Sequence, residues 1–298
     1  MSAAFIVRAR ALCRLSPPFI MPATQENRPE AATVRASEIL RNNVKEKLRR
    51  GEVVSSMTVR LVRGIEIARI AKTAGFDSIY IDVEHCSFSL DTTGQICMAA
   101  VEMGIAPFVR VPANTPEYIS RVLDGGALGV IAPGVRSAAE ARAVVDAAKY
   151  PPLGSRGLSG GLPQLGFRSV PAAQALPALN AATTVMVQFE SAASLAAMDE
   201  IIAVDGVDMV MIGTNDLMAD LGIPGEFDHP KVRDAYERTI AACRKRGKHV
   251  GVGGLSSRPD LVAQFVKMGA RYVSTGTDLG FLMGECQKRV KQVRDIKL

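Results

Sequence analysis

The sequence lacks several features that would place it in a specialised class of protein. Tryptophan is absent, aromatic residues make up 5% of the chain, and there are three histidines. The five cysteines are scattered and form no Cys-x-x-Cys pair, which argues against a structural zinc site and favours a reducing, cytoplasmic compartment. No apolar run approaches the roughly 20 residues of a membrane helix. We therefore expect neither a disulfide-stabilised domain nor a membrane protein.

Nucleic acid is not an expected partner either, although the chain is basic. The net charge is +6 at pH 7, and the pI is about 9.2. The basic residues do not form a stripe with aromatic residues between them, so the sequence provides no base-stacking surface. The charge is better suited to attracting small anionic substrates.

Signatures of nucleotide binding and of Schiff-base chemistry are also missing. The chain has no Walker A motif, and the glycines at 251–254 lack the third glycine of a dinucleotide loop, since Ser256 takes its place. A Schiff-base aldolase needs a lysine at the inward-facing end of a strand. The lysines here fall on predicted helices or at the start of a strand, so any carbon–carbon cleavage would rely on a metal ion.

Residues 1–35 differ in composition from the rest of the chain. Arg8, Arg10 and Arg14 precede the first acidic residue, Glu26. This composition predicts a disordered N-terminal extension and is compatible with a mitochondrial transit peptide. A tail upstream of a later start is the alternative, and we leave the segment out of the fold.

From residue 36 onwards, the sequence alternates between strand and helix patterns. A polar helix is predicted at 36–50, and eight β-type runs follow, each with a helical pattern after it. The runs lie at 53–59, 77–83, 107–111, 128–132, 183–189, 207–212, 249–252 and 272–274. Eight such units in about 250 residues predict an α/β fold, a single-domain (β/α)₈ TIM barrel over residues 36–298. A doubly wound open sheet is the alternative.

Polar residues follow several of the predicted strands. In a barrel the carboxyl ends of the strands form one rim, where catalytic residues gather. The polar residues at these ends are Arg60, Asp82, Glu84, His85, Arg110, Gln188, Glu190, Asn215 and Asp216.

Two carboxylates on this rim are candidate metal ligands. Glu190 and Asp216 each follow an apolar strand, with no Cys or His adjacent. Hard oxygen ligands of this kind favour a cation such as Mg²⁺ or Mn²⁺. The alternative is that Glu190 caps the next helix and Asp216 closes a turn.

His85 and Arg110 are the candidate catalytic groups. Histidine titrates near neutral pH and serves as a proton carrier, although His85 could equally be packed at the start of a helix. Arg110 lies in an apolar strand and needs an anionic partner there. A substrate carboxylate or enolate would serve, and so would Asp82 or Glu84.

Several segments resemble the HpcH/HpaI aldolase family, whose members are metal-dependent, pyruvate-specific class II aldolases. The matching segments are GFDSIYIDVEH (75–85), PFVRVP (107–112), RVLDGGALGVIAP (121–133), YPPLGSRGLSG (150–160), VMVQFE (185–190), VDGVDMVMIGTNDL (204–217) and STGTDLGFL (274–282). The resemblance implies a (β/α)₈ barrel in a homo-oligomer, a hexamer or trimer, that exchanges its C-terminal helix between subunits.

The same resemblance implies roles for residues of the site. Glu190 and Asp216 would hold a divalent metal cation, Mg²⁺, Mn²⁺ or Co²⁺. Gln188 would lie close to the metal-bound substrate. The backbone around Thr214 and Asn215 would receive the substrate carboxylate.

Catalytic roles follow from the resemblance in the same way. Arg110 would hold the keto oxygen and stabilise the pyruvate enolate. His85 would carry out acid–base work, supported by Asp82 and Asp124. The chain departs from the common family pattern at 83, at 134–135 and at 214–218. These positions surround the substrate pocket and leave the identity of the substrate open.

The hypothesis from the sequence is reversible cleavage of a 4-hydroxy-2-oxo acid to pyruvate and an aldehyde. A 2-keto-3-deoxy sugar acid and 4-hydroxy-2-oxoheptanedioate are examples of such substrates. A 2-oxo-acid decarboxylase or an acyl-CoA lyase on the same fold is one alternative. A non-catalytic barrel paralogue is another.

Overall fold

The computed structural model describes residues 36–297, which belong to one compact unit. The prediction of an N-terminal extension at 1–35 lies outside the described residues.

Eight parallel strands close into a barrel in which each strand pairs with its neighbours in the chain and β1 pairs with β8. The strands are β1 (Val54–Val59), β2 (Ser78–Asp82), β3 (Ala106–Arg110), β4 (Gly129–Ala132), β5 (Thr184–Phe189), β6 (Met209–Gly213), β7 (His249–Gly253) and β8 (Tyr272–Thr277). The predicted (β/α)₈ barrel is therefore confirmed, and the open sheet is excluded.

Helices precede the barrel and follow its strands. They are α1 (Ala36–Ile39), α2 (Asn43–Arg49), α3 (Glu66–Thr73), α4 (Leu90–Glu102), α5 (Pro116–Asp124), α6 (Ala138–Ala148), α7 (Ala172–Ala182), α8 (Ala192–Ala196), α9 (Met198–Ala203), α10 (Thr214–Asp220), α11 (Pro230–Lys245), α12 (Pro259–Met268) and α13 (Asp278–Arg294), with a 3₁₀ turn at Pro163–Leu165. Among residues 36–297, no helix is both long enough and apolar enough to cross a bilayer.

Alternation along the strands divides the apolar core into two layers. Residues such as Val59, Ile81 and Val109 point outward and pack in the large cluster against the helices. Their neighbours of opposite parity, such as Phe108 and Met211, fill the barrel interior. Successive side chains of a strand point to opposite faces. The alternate residues that point into the barrel therefore continue, at the carboxyl end of each strand, with a polar residue that also points into the mouth of the barrel.

The end of the barrel where the strands begin, here called the lower end, is closed by α2. Val44 and Leu48 of this helix join the interior cluster. Asn42 accepts hydrogen bonds from the backbone of Val44 and Lys45 and so caps the helix. Its amide group also donates to the carbonyl of Ala182 at 2.7 Å, which ties the helix to the barrel.

The predicted helices differ from the observed ones in four places. The helix predicted at 36–50 is broken at residues 40–42, because Asn42 satisfies the first N–H groups of α2 with its side chain and starts a new helix. The helical pattern predicted after the fifth strand is divided at Ala197 into α8 and α9. Helices α7 and α10 were not predicted, and Pro177 inside α7 masks its helical pattern.

Candidate active site

A cavity of about 340 Å³ opens at the upper end of the barrel, where the strands finish. Seven of the residues predicted for the site line it, namely Asp82, His85, Arg110, Gln188, Thr214, Asn215 and Asp216. Interior positions with small side chains on β7 and β8, such as Gly253 and Ser274, leave the space open on that side. The barrel thus gathers groups that are far apart in the sequence.

Arg110 is the centre of an ion-pair network on one wall of the cavity. Its Nε donates to Asp82 Oδ1 at 3.1 Å, and its Nη2 donates to Asp82 Oδ2 at 2.7 Å. Its Nη1 lies 2.9 Å from Glu84 Oε2, and the guanidinium stacks over the ring of Tyr80 at 5.4 Å. An arginine has five N–H groups, so this buried side chain keeps donors for a further oxygen.

The charge states of Arg110 and Asp82 are fixed by each other. Burial alone would lower the pKa of Arg110, but Tyr80, Asp82 and Glu84 together raise it. Burial would raise the pKa of Asp82, but hydrogen bonds and positive charge from Arg110 and Arg60 lower it. The guanidinium is therefore a permanent cation at the mouth of the barrel.

His85 lies at the edge of this network with an exposed ring. Its backbone N–H donates to Asp82 Oδ1 at 3.2 Å, and its ring Nε2 lies 3.6 Å from Glu84 Oε2. The carboxylate nearest the imidazole is therefore Glu84, whereas Asp82 supports the backbone of the residue. An exposed imidazole beside the cavity can exchange protons with a substrate and with water.

The predicted metal ligands lie across the cavity from β1 and β2. Gln188 donates to Glu190 Oε1, and the backbone N–H of Gly134 donates to Glu190 Oε2 at 2.9 Å. Burial raises the pKa of Glu190 to about 7, the negative charges of Asp216 and Glu84 add to this rise, and Arg110 opposes it. The carboxylates repel each other, which is the condition that a bound cation relieves.

The composition and packing of this wall fit a divalent cation. Two carboxylates supply hard oxygen donors, and Gln188 Oε1 is buried without a hydrogen-bond partner within residues 36–297. No group of three or more His, Cys, Asp or Glu in that part of the chain is placed to hold a metal ion, so substrate oxygens and water would complete the coordination, as Mg²⁺ permits. A Cβ at Gly213 would lie 2.7 Å from Glu190 Oε1, so only glycine leaves Glu190 in place.

Thr214 and Asn215 begin α10 on the same wall. The Thr214 hydroxyl is used by the fold, since it donates to the carbonyl of Gly253 at 2.7 Å and lies 2.8 Å from the Tyr236 hydroxyl. The side chain of Thr214 is therefore not free for a ligand, which leaves the backbone as its route to a substrate.

Two predicted site residues do not line the cavity. Glu190 is hydrogen-bonded to the lining residue Gln188, whereas Asp124 lies away from the cavity. It is the last residue of α5, and helices of a (β/α)₈ barrel run opposite to the strands, so it lies towards the lower end. Its carboxylate accepts a hydrogen bond from Arg156 at 2.5 Å. The described contacts within one chain do not join Asp124 to His85, so the supporting role of Asp124 stays a prediction.

Three residues of the site were given no catalytic, substrate-binding or metal-binding role from the sequence, although Arg60 and Glu84 were predicted on the rim and Glu84 was one possible partner of Arg110. Arg60 donates from Nε to Asp82 Oδ2 at 2.7 Å, and Glu84 joins Arg110 and His85. Asp278 accepts hydrogen bonds from the backbone of residues 60–62 and so fixes the segment after β1. The rim position predicted for Arg60 agrees with strand parity, because Arg60 continues the inward series of β1, whereas nothing local identifies Asp278.

Comparisons with a family model and with known proteins agree on one family. The sequence model of the HpcH/HpaI aldolase/citrate lyase family matches residues 63–284. A 4-hydroxy-4-methyl-2-oxoglutarate aldolase of Chaetomium globosum is 38% identical over 222 residues, which is 74% of this chain and 82% of that protein. The 2-keto-3-deoxy-L-rhamnonate aldolase of Escherichia coli is 34% identical over 240 residues, 80% of this chain and 88% of the other.

Solved structures agree with the sequence comparison. An HpcH/HpaI aldolase from Desulfitobacterium hafniense superposes with a TM-score of 0.81 at 33% identity, covering 85% of this chain and 97% of that one. A family protein from Burkholderia cenocepacia gives a TM-score of 0.77 at 29% identity, over 86% and 100% of the two chains.

Proposed function

Because the chain belongs to the HpcH/HpaI aldolase/citrate lyase family, we propose that it is a carbon–carbon lyase that reversibly cleaves a 4-hydroxy-2-oxo acid. The products are pyruvate and a second carbonyl compound, an aldehyde or a ketone. The observation that supports this reaction most directly is the meeting of Arg110, His85 and Asp216 at one cavity, with Glu190 beside it.

Glu190 and Asp216 are the residues that would hold a divalent cation. When bound, such a cation withdraws electrons from the 2-oxo group and favours negative charge on its oxygen. Gln188 holds Glu190 in place by its hydrogen bond, and the Gly134 N–H fixes the other carboxylate oxygen. Both contacts orient the carboxylate before any ligand arrives.

The chain's own residues account for the proton and charge movements of the cleavage. His85 accepts the proton of the 4-hydroxyl group, directly or through a water molecule. The C3–C4 bond then breaks, its electrons pass to the enolate of pyruvate, and C4 becomes the new carbonyl carbon. The remaining N–H groups of Arg110 donate to the enolate oxygen, where negative charge develops. Return of the proton to C3 releases pyruvate.

Oligomer formation is also part of the proposal, and helix α13 supports it. Phe281, Leu282, Met283 and Val293 of this helix are between 43% and 69% exposed. Apolar exposure of this extent on one helix marks an interaction surface. We infer that α13 packs against a second copy of the chain in a homo-oligomer, by exchange between subunits.

Pyruvate release from a panel of 4-hydroxy-2-oxo acids tests the reaction. The protein is stripped with a chelator and assayed alone and with Mg²⁺, Mn²⁺ or Co²⁺. We expect release only when metal is restored. Undiminished release from metal-free protein would contradict the metal assignment, and failure of every substrate with every metal would contradict the reaction.

A further inference from the structure

Arg60 is a second arginine at the cavity, and the proposed mechanism does not use it. It follows β1 and continues the inward series of Ser56 and Thr58. Its Nε donates to Asp82 Oδ2 at 2.7 Å, and its backbone N–H donates to Asp278 Oδ1 at 2.9 Å. The residue is therefore anchored at the backbone and at one side-chain nitrogen.

The position of Arg60 is opposite the predicted metal ligands. In a closed barrel of eight strands, β1 and β5 face each other across the axis. Glu190 follows β5, and Arg60 follows β1, so the cavity lies between them. A substrate whose 2-oxo acid end is held near Glu190 and Asp216 would extend its other end towards Arg60.

The guanidinium of Arg60 has donors to offer at that end. Its side chain is 34% exposed, compared with 7% for Arg110. Only Nε hydrogen-bonds to protein within the described part of the chain, so the Nη groups have no protein acceptor there. The hydroxyl groups of Thr58, Ser274 and Thr277 line the same side of the cavity.

We propose that Arg60 binds a second carboxylate of the substrate, so that the enzyme prefers 4-hydroxy-2-oxo dicarboxylic acids to monocarboxylic ones. The inference rests on the proposed function and specifies its substrate class. A guanidinium presents paired N–H groups that match a carboxylate, and it remains charged at all working pH values. The surrounding hydroxyls can donate further hydrogen bonds to the same carboxylate.

A purely positioning role for Arg60 has a different consequence. Through Asp82, Arg60 could act only by orienting Arg110, which serves every substrate alike. Its loss would then lower the cleavage of dicarboxylic and monocarboxylic substrates by the same factor. The ratio of the two specificity constants separates the two roles.

The test compares wild type, Arg60→Leu and Arg60→Lys with added Mn²⁺. The substrates are 4-hydroxy-4-methyl-2-oxoglutarate, which has a second carboxylate, and 4-hydroxy-2-oxopentanoate, which has none. We expect the ratio of kcat/KM values, dicarboxylate over monocarboxylate, to fall by about 10- to 100-fold in Arg60→Leu, the worth of a charged hydrogen bond. The fall should appear mainly in KM, and Arg60→Lys should recover part of it. Arg233→Leu, at an exposed site on α11, is the matched control.

Binding of unreactive analogues keeps the inference separate from the proposed function. Calorimetry with 2-oxoglutarate and 2-oxopentanoate, which lack the 4-hydroxyl group, should show the same loss of preference in Arg60→Leu. An unchanged ratio in both assays, or a wild-type preference for the monocarboxylic compounds, would overturn the role of Arg60. Cleavage of neither substrate by wild type, with the Arg60-dependent binding preference intact, would overturn the reaction alone.

Discussion

Charged side chains lie at both ends of the barrel, but they are paired differently. At the lower end, the Lys149 ammonium donates to the carbonyls of Asn180 and Thr183 at 2.9 and 2.5 Å and lies 3.4 Å from Asp208. Asp208 also pairs with Lys45 at 2.9 Å and accepts a hydrogen bond from the backbone at Val185. Burial lowers the pKa of Lys149 to about 8, so the ammonium still carries its charge at neutral pH.

At the upper end, the charges are left partly unmatched. Asp82 is matched by two arginines, but within residues 36–297 no Lys or Arg side chain forms an ion pair with Glu190 or Asp216, and burial with Asp216 nearby raises the pKa of Glu190. The ion pairs of the lower end therefore hold the barrel together, whereas the two carboxylates of the upper end stay available to a ligand. This division agrees with the general role of the two faces of such barrels.

Removal of one upper carboxylate should have the largest effect on activity. In Glu190→Gln or Asp216→Asn, we expect metal-dependent pyruvate release to fall by about 10³-fold, since a Lewis acid contributes several kcal/mol to such a reaction. Thermal unfolding should remain cooperative, because the hydrogen bonds of Glu190 with Gln188 and Gly134 lie at the rim and are not part of the strand ladder. The exposed Glu237→Gln is the matched control. Wild-type rates in either carboxylate variant would mean that the ion binds elsewhere.

Replacement of Arg110 should have the next largest effect on activity. Arg110→Lys keeps the charge, but lysine lacks the planar fork that reaches Asp82 and Glu84 together. We expect kcat to fall by about 10²-fold, as for loss of one donor to a developing oxyanion. Steady-state kinetics with saturating metal measures this, with the exposed Arg238→Lys as control. A change in KM alone would assign Arg110 to binding only.

A substitution at the lower end should reduce stability and leave activity unchanged. Lys149→Met leaves the carbonyls of Asn180 and Thr183 without their donor, and we expect the free energy of unfolding to fall by about 2 kcal/mol. Urea unfolding measures the loss, and kcat/KM should stay at the wild-type value. Lys267→Met, on the exposed face of α12, should change neither quantity. Loss of activity without loss of stability would show that the two ends are coupled.

Mild acid should destabilise the fold through the lower end, with the smallest of these effects. Glu190 at the upper end acts in the opposite sense, because its pKa is raised to about 7 and the native state therefore binds more protons than the unfolded chain below that pH. Burial lowers the pKa of His249 below its ordinary 6.5, although Asp208 opposes this. The unfolded chain therefore binds more protons just below pH 6.5, and stability should decrease as the pH falls through that region. The pKa of Asp82 is lowered from 3.8, so its contribution is present above that pH and is lost only below it.

Unfolding free energies measured from pH 7 to pH 3 check this order. Between pH 7 and 5, His249→Gln should lose less stability on acidification than wild type, and Asp82→Asn should differ in slope from wild type only near the acid end of the curve. An identical slope of wild type and His249→Gln between pH 7 and 5 would contradict the role of His249.

Much of the fold could be predicted because the relevant patterns are local. An alternation of apolar residues indicates each strand, and a change to a period of 3.6 residues indicates each helix. The inward parity of a strand is also local, so Asp82, Arg110, Gln188 and Glu190 could be assigned to one rim before any contact was known. Asn42 shows where local patterns fail. Its amide starts a new helix, but the apolar period of the sequence continues on both sides of it and predicts one unbroken helix.

Local residue patterns are enough to predict the barrel, the rim and the residue types available for chemistry. How those residues pair is visible only in the folded chain. Asp82 is shared by Arg60 and Arg110, from positions 22 and 28 residues away, and Glu84 rather than Asp82 is nearest the ring of His85. Asp124 is directed to Arg156, away from the cavity. The physical reason is that strand direction follows from neighbouring residues, whereas pairing depends on strand register and on closure of the barrel, which bring distant segments together.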